Sequence, residues 1–307
     1  MFSTDNYCIV ISLGPKHTVY CRCLLSSIRY FGITAPIYIL NDGNKHIEQL
    51  ARISNVTIID TKEINKNHDL KLTGLLNKLN LYFLPEAGYD YDYYVHFDAD
   101  SFLLANFENK YAGKEFDFAV MQGGVLDFSD KENLRIFNKY AYDPNVGRTE
   151  LLASQIYFSS GHFIINKKLF DKDHLRLYRK DINTDFSTDA FFKFGDQGYL
   201  NFYINELNLK GNIILLDDIG LYGKEPNMFD CNDVINKKYD TKSFIHYTGP
   251  SRHAFLFQHN YSELLKFYTK LFYKYISKKP SITRAKDAIL ETSIKDIYRL
   301  LRYHLFK

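Results

Sequence analysis

Two aspartates one residue apart, Asp98 and Asp100, close the apolar run Tyr93-Tyr-Val-His-Phe97. At the end of a buried strand, a turn at Ala99 would let both carboxylates face one divalent cation. Hard Mg2+ or Mn2+ takes oxygen donors of this kind and completes its shell with substrate phosphates. An ion held there would neutralise a diphosphate leaving group as its charge develops. An Asp-x-Asp alone also suits a solvated loop or a helix cap; the buried strand aimed at it is what gives the acids a task. A second cluster, Gly195-Asp196-Gln197-Gly198-Tyr199-Leu-Asn201, offers oxygens that can hold sugar hydroxyls or stabilise an oxocarbenium-like transition state. The same residues also suit a helix cap from Asp196 and a surface polar role for Asn201. A third, Phe244-Ile-His246-Tyr-Thr-Gly249-Pro-Ser-Arg252, puts a histidine at the end of a short apolar strand. Gly249 allows close backbone approach and Arg252 is a fork suited to phosphate. His246 is either a core histidine or a neutral imidazole completing the metal shell.

The elements that must position these groups alternate. Cys8 to Leu13 reads as a buried parallel strand, residues 17–31 as its return helix, Ile37-Tyr-Ile-Leu40 as a second strand ending in the turn Asn41-Asp42-Gly43. A helix near 44–52, a strand Val56-Thr-Ile-Ile59 and a helix over 70–84 continue the pattern, which is that of βαβ units. Tyr93 to Phe97 is then the strand that delivers Asp98 and Asp100 to the crevice at the strand ends. Phe116 to Val120 and Ile156 to Ile165 are further strands, the latter broken around Ser159-Ser160-Gly161, and 122–155 mixes loop with helix.

The chain has 307 residues, 46% hydrophobic and 24% charged, which excludes disordered and fibrous classes. Cys8, Cys21, Cys23 and Cys231 form no disulfide framework and no metal-ligand pattern, so a reducing compartment is expected. The first apolar run is too short to span a bilayer and lacks a basic region before it, so neither signal peptide nor membrane anchor is expected and the location reads as cytoplasmic. From Tyr261 to Lys307 stand 11 Lys and Arg against 4 Asp and Glu, a net +7 within a total of +3, leaving −4 for residues 1–260. That divides the chain into a catalytic domain, 1–260, and a basic helical tail, 261–307. Lys266, Lys270 and Lys274 fall four apart on one face of the first tail helix, and a second helix follows Pro280. Such a tail can lie peripherally on the inner face of an anionic membrane or dock on the domain or a second subunit. Nucleic acid is not expected as a partner, because the first 260 residues are acidic overall and hold no reader motif.

These ordered motifs resemble the GT-A nucleotide-sugar glycosyltransferases, most closely glycosyltransferase family 8, the glycogenin and lipopolysaccharide galactosyltransferase family, from about residue 7 to 255. Tyr20 is similar to the tyrosine that opens the family's first helix and meets the nucleobase. Asn77-Lys78-Leu79 resembles its Thr-Lys-Leu, Asp98-Ala-Asp100 its metal-binding Asp-x-Asp, Ser159-Ser160-Gly161 its Asn-Ser-Gly, and Asp196-Gln197 the pair beside the transferred sugar. His246-Tyr-Thr-Gly249-Pro-Ser-Arg252 stands against His-x-x-Gly-x-x-Lys-Pro-Trp, with Arg252 for the lysine and His253-Ala254 for Pro-Trp. The resemblance implies a Rossmann-like, mostly parallel α/β sheet flanked by helices, a UDP-sugar donor and Mn2+ or Mg2+ held by Asp98, Asp100 and His246. It further implies Lys78, Gly249 and Arg252 at the diphosphate, Asp196 and Gln197 near the anomeric carbon, a glycan, oligosaccharide or lipid-linked acceptor, and transfer with retention. Gln197 would act by positioning, not as a covalent nucleophile. The rivals are a sugar nucleotidyltransferase, for which Leu13-Gly14-Pro15-Lys16 is too slight a phosphate loop, a nucleotide-sugar hydrolase, and a non-catalytic carbohydrate-binding protein.

Overall fold

The structure, a computed structural model, describes residues 1–14, 17–44, 47–125, 156–178, 195–209, 221–222, 229–246, 259–277 and 279–283. Its spine is a six-stranded sheet in the order β3-β2-β1-β4-β7-β6, made of β1 (Tyr7–Leu13), β2 (Ile37–Asn41), β3 (Val56–Asp60), β4 (Tyr93–Asp98), β6 (Phe118–Val125) and β7 (Ile156–Asn166). Strands β3, β2, β1 and β4 are parallel, β7 runs antiparallel to β4, and β6 in turn runs antiparallel to β7. A second sheet, β5-β9-β8, joins β5 (Ser101–Leu103), β9 (Phe244–His246) and β8 (Leu221–Tyr222).

Period-two alternation sorts the strand residues onto two cores. Ile9, Ile11, Ile37, Ile39, Val95 and Phe97 face one side, under α1 (Thr18–Tyr30) and the helix His259–Ile276. Cys8, Val10, Leu40 and Tyr94 face the other, against Leu79, Phe163 and Tyr199. Because both faces are covered, β1, β2 and β4 are nearly continuous apolar runs, while the edge strand β3 exposes Thr57, and each fully buried Val, Leu or Ile side chain contributes about 1.5–3 kcal/mol. All four cysteines are buried free thiols.

Two expected helices take other forms. In the stretch near 44–52 the helical part is a 3-10 turn at Leu50–Arg52, while an unforeseen α2 (Thr61–Asn67) follows β3, capped by Asp60, whose carboxylate accepts from the Lys62 amide at 3.0 Å. The 70–84 helix is a 3-10 segment, Gly74–Phe83. Its start is set by Gly74 at φ 59°, whose amide donates to Asp42 Oδ2 at 2.6 Å. Buried Asn77 donates to the Leu40 carbonyl at 2.8 Å and Asn80 to the Leu72 carbonyl at 2.9 Å. Such side-chain to backbone bonds compete with the regular α ladder, and the tighter winding leaves Leu75 46% exposed.

Further α-helices among the described residues are α3 (Glu108–Tyr111), α4 (Lys172–Tyr178), α5 (Asp196–Leu209), α6 (Cys231–Ile235) and α7, the helix His259–Ile276. In α7, Leu264, Tyr268 and Phe272 are fully buried, and the Tyr268 hydroxyl donates to the Leu103 carbonyl at 2.7 Å. Lys266, Lys270 and Lys274 lie on its exposed side. The expected second tail helix lies mostly outside the described residues, as does most of 122–155. Among the described residues no helix is long and apolar enough to cross a membrane.

Candidate active site

The parallel order reverses direction between β1 and β4, and a crevice opens where the strands on either side of such a point diverge. Ser12, near the end of β1, pairs directly with Asp98 at the end of β4. The chain then turns at Ala99, and Asp100 leads into β5. Since β5 is paired with β9 so that Ser101 faces His246, the histidine is carried back over the two aspartates from about 150 residues downstream in sequence.

One ligand atom each from Asp98, Asp100 and His246 lies within 4.8 Å of the other two. His246 Nε2 is 3.6 Å from Asp98 Oδ2 and 3.4 Å from Asp100 Oδ1, longer than a good hydrogen bond. An octahedral ion with bonds of about 2.1 Å spaces its neighbouring donors about 3 Å apart, so this set fits a shared hard cation. Asp100 and His246 are buried, and the Asp98 side chain is 26% exposed, on the open side of the triad.

Beside the triad sits a buried ammonium. Lys78 Nζ lies 3.0 Å from Asp98 Oδ1, 2.9 Å from Asp196 Oδ2, and donates to the Ser160 carbonyl at 3.0 Å. Ser160 Oγ in turn donates to Asp196 Oδ2 at 2.5 Å. Burial alone would pull the lysine down, but Asp196 and Asp98 outweigh it and hold its pKa above the ordinary value. For Asp98, burial pushes the carboxyl up, against the opposing pull of Lys78 and His246. Two carboxylates, Asp98 and Asp196, pair with the one ammonium, and Asp100 stands close to Asp98, an excess of negative charge that a divalent cation would offset.

The residues expected beside the sugar stand on α5. Gly195, at φ 48°, turns the chain so that Asp196 opens the helix. The Asp196 carboxylate is spent on Ser160 and Lys78, so its role is to cross-link rather than to cap. Gln197 is half-buried in the same turn. Asn201, far from being a surface residue, is fully buried: it exchanges two hydrogen bonds of 2.9 Å with the Phe158 backbone and donates to the Gln197 carbonyl at 2.9 Å, locking α5 to β7. Tyr20 lies in the first turn of α1, just beyond the end of β1, with its ring 6.5 Å from that of His17. Gly249 and Arg252 lie outside the described residues.

Three residues in this region carry contacts that motif reading did not reveal. Ser160 bridges Lys78 and Asp196 through its carbonyl and hydroxyl. His96 is fully buried beneath the crevice, with Nε2 2.9 Å from Ser12 Oγ and its ring stacked on Phe163. His162 lies between the rings of Phe97 and Phe244, with centroids 4.5 and 3.7 Å away. Burial drives both imidazoles well below the ordinary histidine pKa. Only the period-two pattern could have shown that these histidines point inward.

A mixed sheet with this strand order, carrying paired aspartates at its switch point, is the GT-A architecture, a fold of glycosyltransferases. No family model and no curated protein sequence matches the chain. Among solved structures it is similar to the galactosyltransferase LgtC in complex with donor and acceptor sugar analogs, with TM-score 0.51 and 14% identity over 84% of this chain and 95% of LgtC. It is similar also to the bifunctional glycosyltransferase WbbM, with TM-score 0.51 and 15% identity over 89% of this chain and 50% of WbbM. For the glycosyltransferase GlyE of Streptococcus pneumoniae TIGR4 the values are 0.50 and 14%, over 90% of this chain and 64% of GlyE. The chain therefore spans half the length of WbbM and under two thirds of GlyE; the likeness to all three is one of fold.

Proposed function

We propose that the protein is a metal-dependent glycosyltransferase that moves a hexose from a UDP-sugar to a glycan or lipopolysaccharide-type acceptor, with retention of anomeric configuration. The observation that supports this most is the convergence of Asp98, Asp100 and His246 at the switch point of a fold shared with LgtC, whose structure holds donor and acceptor sugar analogs. Asp98, Asp100 and His246 would hold Mn2+ or Mg2+, and the bound ion supplies Lewis-acid neutralisation of the departing diphosphate. Lys78 keeps a fixed positive charge between the Asp98 and Asp196 carboxylates, so their oxygens are already oriented when the donor arrives. Gln197, half-buried in the first turn of α5, is assigned to orient the sugar near its anomeric carbon, and Asp196 to hold that turn against β7. Tyr20 is assigned to the nucleobase, Gly249 and Arg252 to the diphosphate. The exposed Lys266, Lys270 and Lys274 are assigned to peripheral contact with anionic lipid, which would bring a lipid-linked acceptor to a cytoplasmic enzyme.

The test is calorimetric binding of UDP with and without Mn2+, on the wild type and on Asp100→Ala. Metal-dependent UDP binding abolished by the substitution supports the donor class, and a panel of UDP-sugars then identifies the hexose. Preference for another nucleotide keeps a transferase but discards UDP; no nucleotide binding sinks the enzymatic reading. Rapid donor turnover indifferent to every sugar acceptor would make the protein a hydrolase instead.

A further inference from the structure

His246 is seated on a glycine. A Cβ built on Gly161 would stand 2.0 Å from His246 Cε1, 2.3 Å from Nδ1 and 2.8 Å from Nε2, so the imidazole occupies the volume of the missing side chain. Gly161 does not have a left-handed φ, unlike Gly32, Gly43 or Gly195, so the backbone there makes no demand for glycine. What excludes a side chain is the ring above it.

Neither partner is placed to step aside. On β7, pairing with β6 passes from Val120↔Phe163 to Gln122↔Phe158, so residues 159–162 bulge opposite the single residue 121. Such bulges re-aim side chains beside sites. The preceding residue anchors the bulge twice, through the Ser160 hydroxyl to Asp196 at 2.5 Å and the Ser160 carbonyl to Lys78 at 3.0 Å. On the other side, His246 is held by the Ser101↔His246 pairing, and Phe244, two residues earlier on β9, packs on His162 at 3.7 Å and Phe97 at 5.6 Å.

We propose that Gly161 is a positioning residue for the metal site: by withholding a side chain it lets the imidazole of His246 rest on β7 and reach Asp98 and Asp100. The assignment of a metal rests on the function proposed above; the seating of His246 does not. Metal-free wild type, Gly161→Ala, His246→Ala and the double variant are compared by Tm, and Mn2+ affinity is measured by calorimetry on the first two. Gly161→Ala is expected to lower Tm with His246 present and to have little effect once the imidazole is gone, and to weaken Mn2+ binding by about 10- to 100-fold. An equal loss of Tm in both backgrounds overturns the proposal, since the glycine would then serve the strand alone. Should Gly161→Ala not fold, recovery of folding in the double variant supports the seating and failure of both overturns it. If the wild type binds no Mn2+, the metal reading falls, while the Tm values still decide whether Gly161 seats His246.

Discussion

The ammonium of Lys78 lies 2.9 Å from the carboxylate of Asp196, both groups almost wholly buried, and its second carboxylate partner is the candidate metal ligand Asp98. One lysine thus ties the 3-10 segment, the end of β4 and the start of α5 to a single point. Replacing it with methionine leaves buried carboxylates without their shared cation, a change that costs about 3–5 kcal/mol. Urea denaturation of metal-free Lys78→Met is expected to show a loss in this range. Arginine should not restore it, because a planar fork cannot match three acceptors gathered around one ammonium.

The buried histidines set an acid limit. Their folded pKa values are depressed, so the stability they contribute is present above the ordinary histidine value of about 6.5 and is lost as pH falls below it, at up to about 1.4 kcal/mol per pH unit for each ring. Asp98, whose pKa is raised, has the opposite sign: its contribution grows as pH falls. His162→Phe suits the aromatic pocket of Phe97 and Phe244 and should flatten the acid slope by one proton's worth. Unfolding free energies of wild type and variant between pH 7.5 and 5.5 check this, and parallel curves would refute it.

Asn201 offers a prediction about how α5 is held. Alanine there removes the two bonds to the Phe158 backbone and the one to the Gln197 carbonyl, leaving buried peptide groups unmatched at about 1–3 kcal/mol each. With the two Phe158 groups fully buried and the Gln197 carbonyl only partly so, a stability loss of about 2–6 kcal/mol by urea titration is expected. Because Gln197 stands in the turn so released, donor turnover should fall by more than the folded fraction does.

The tail helix is testable on vesicles. Lys266, Lys270 and Lys274 are exposed while the opposite side of α7 is buried against α1, so charge reversal at all three leaves the packing intact. Each lysine near an anionic surface contributes about 1 kcal/mol, and the attraction is screened by salt. Sedimentation with phosphatidylserine vesicles should be strong for the wild type at low salt and weak at high salt, and weak for the triple Glu variant throughout. Equal sedimentation of both proteins would end the assignment to lipid.

The local patterns were enough to establish the four parallel strands β1 to β4, because a buried parallel strand is a continuous apolar run whichever neighbours it acquires, whereas the short β5 and β8 were not foreseen. For the same reason Asp98 and Asp100 could be read as a pair: the spacing of two residues at a strand end is a property of the backbone itself. Winding was less legible. The leucines of 70–84 mark an inward face equally well for an α or a 3-10 helix, and Asn77, Asn80 and Gly74 chose between them through bonds to residues that only folding brings near. The meeting of His246 with the aspartates, of Lys78 with Asp196, and of an imidazole with the bare Cα of Gly161 was decided entirely by tertiary structure. Each depends on strand order and register across separations of some 80 to 150 residues, and no short-range regularity in a chain encodes which distant partner will fill a given space.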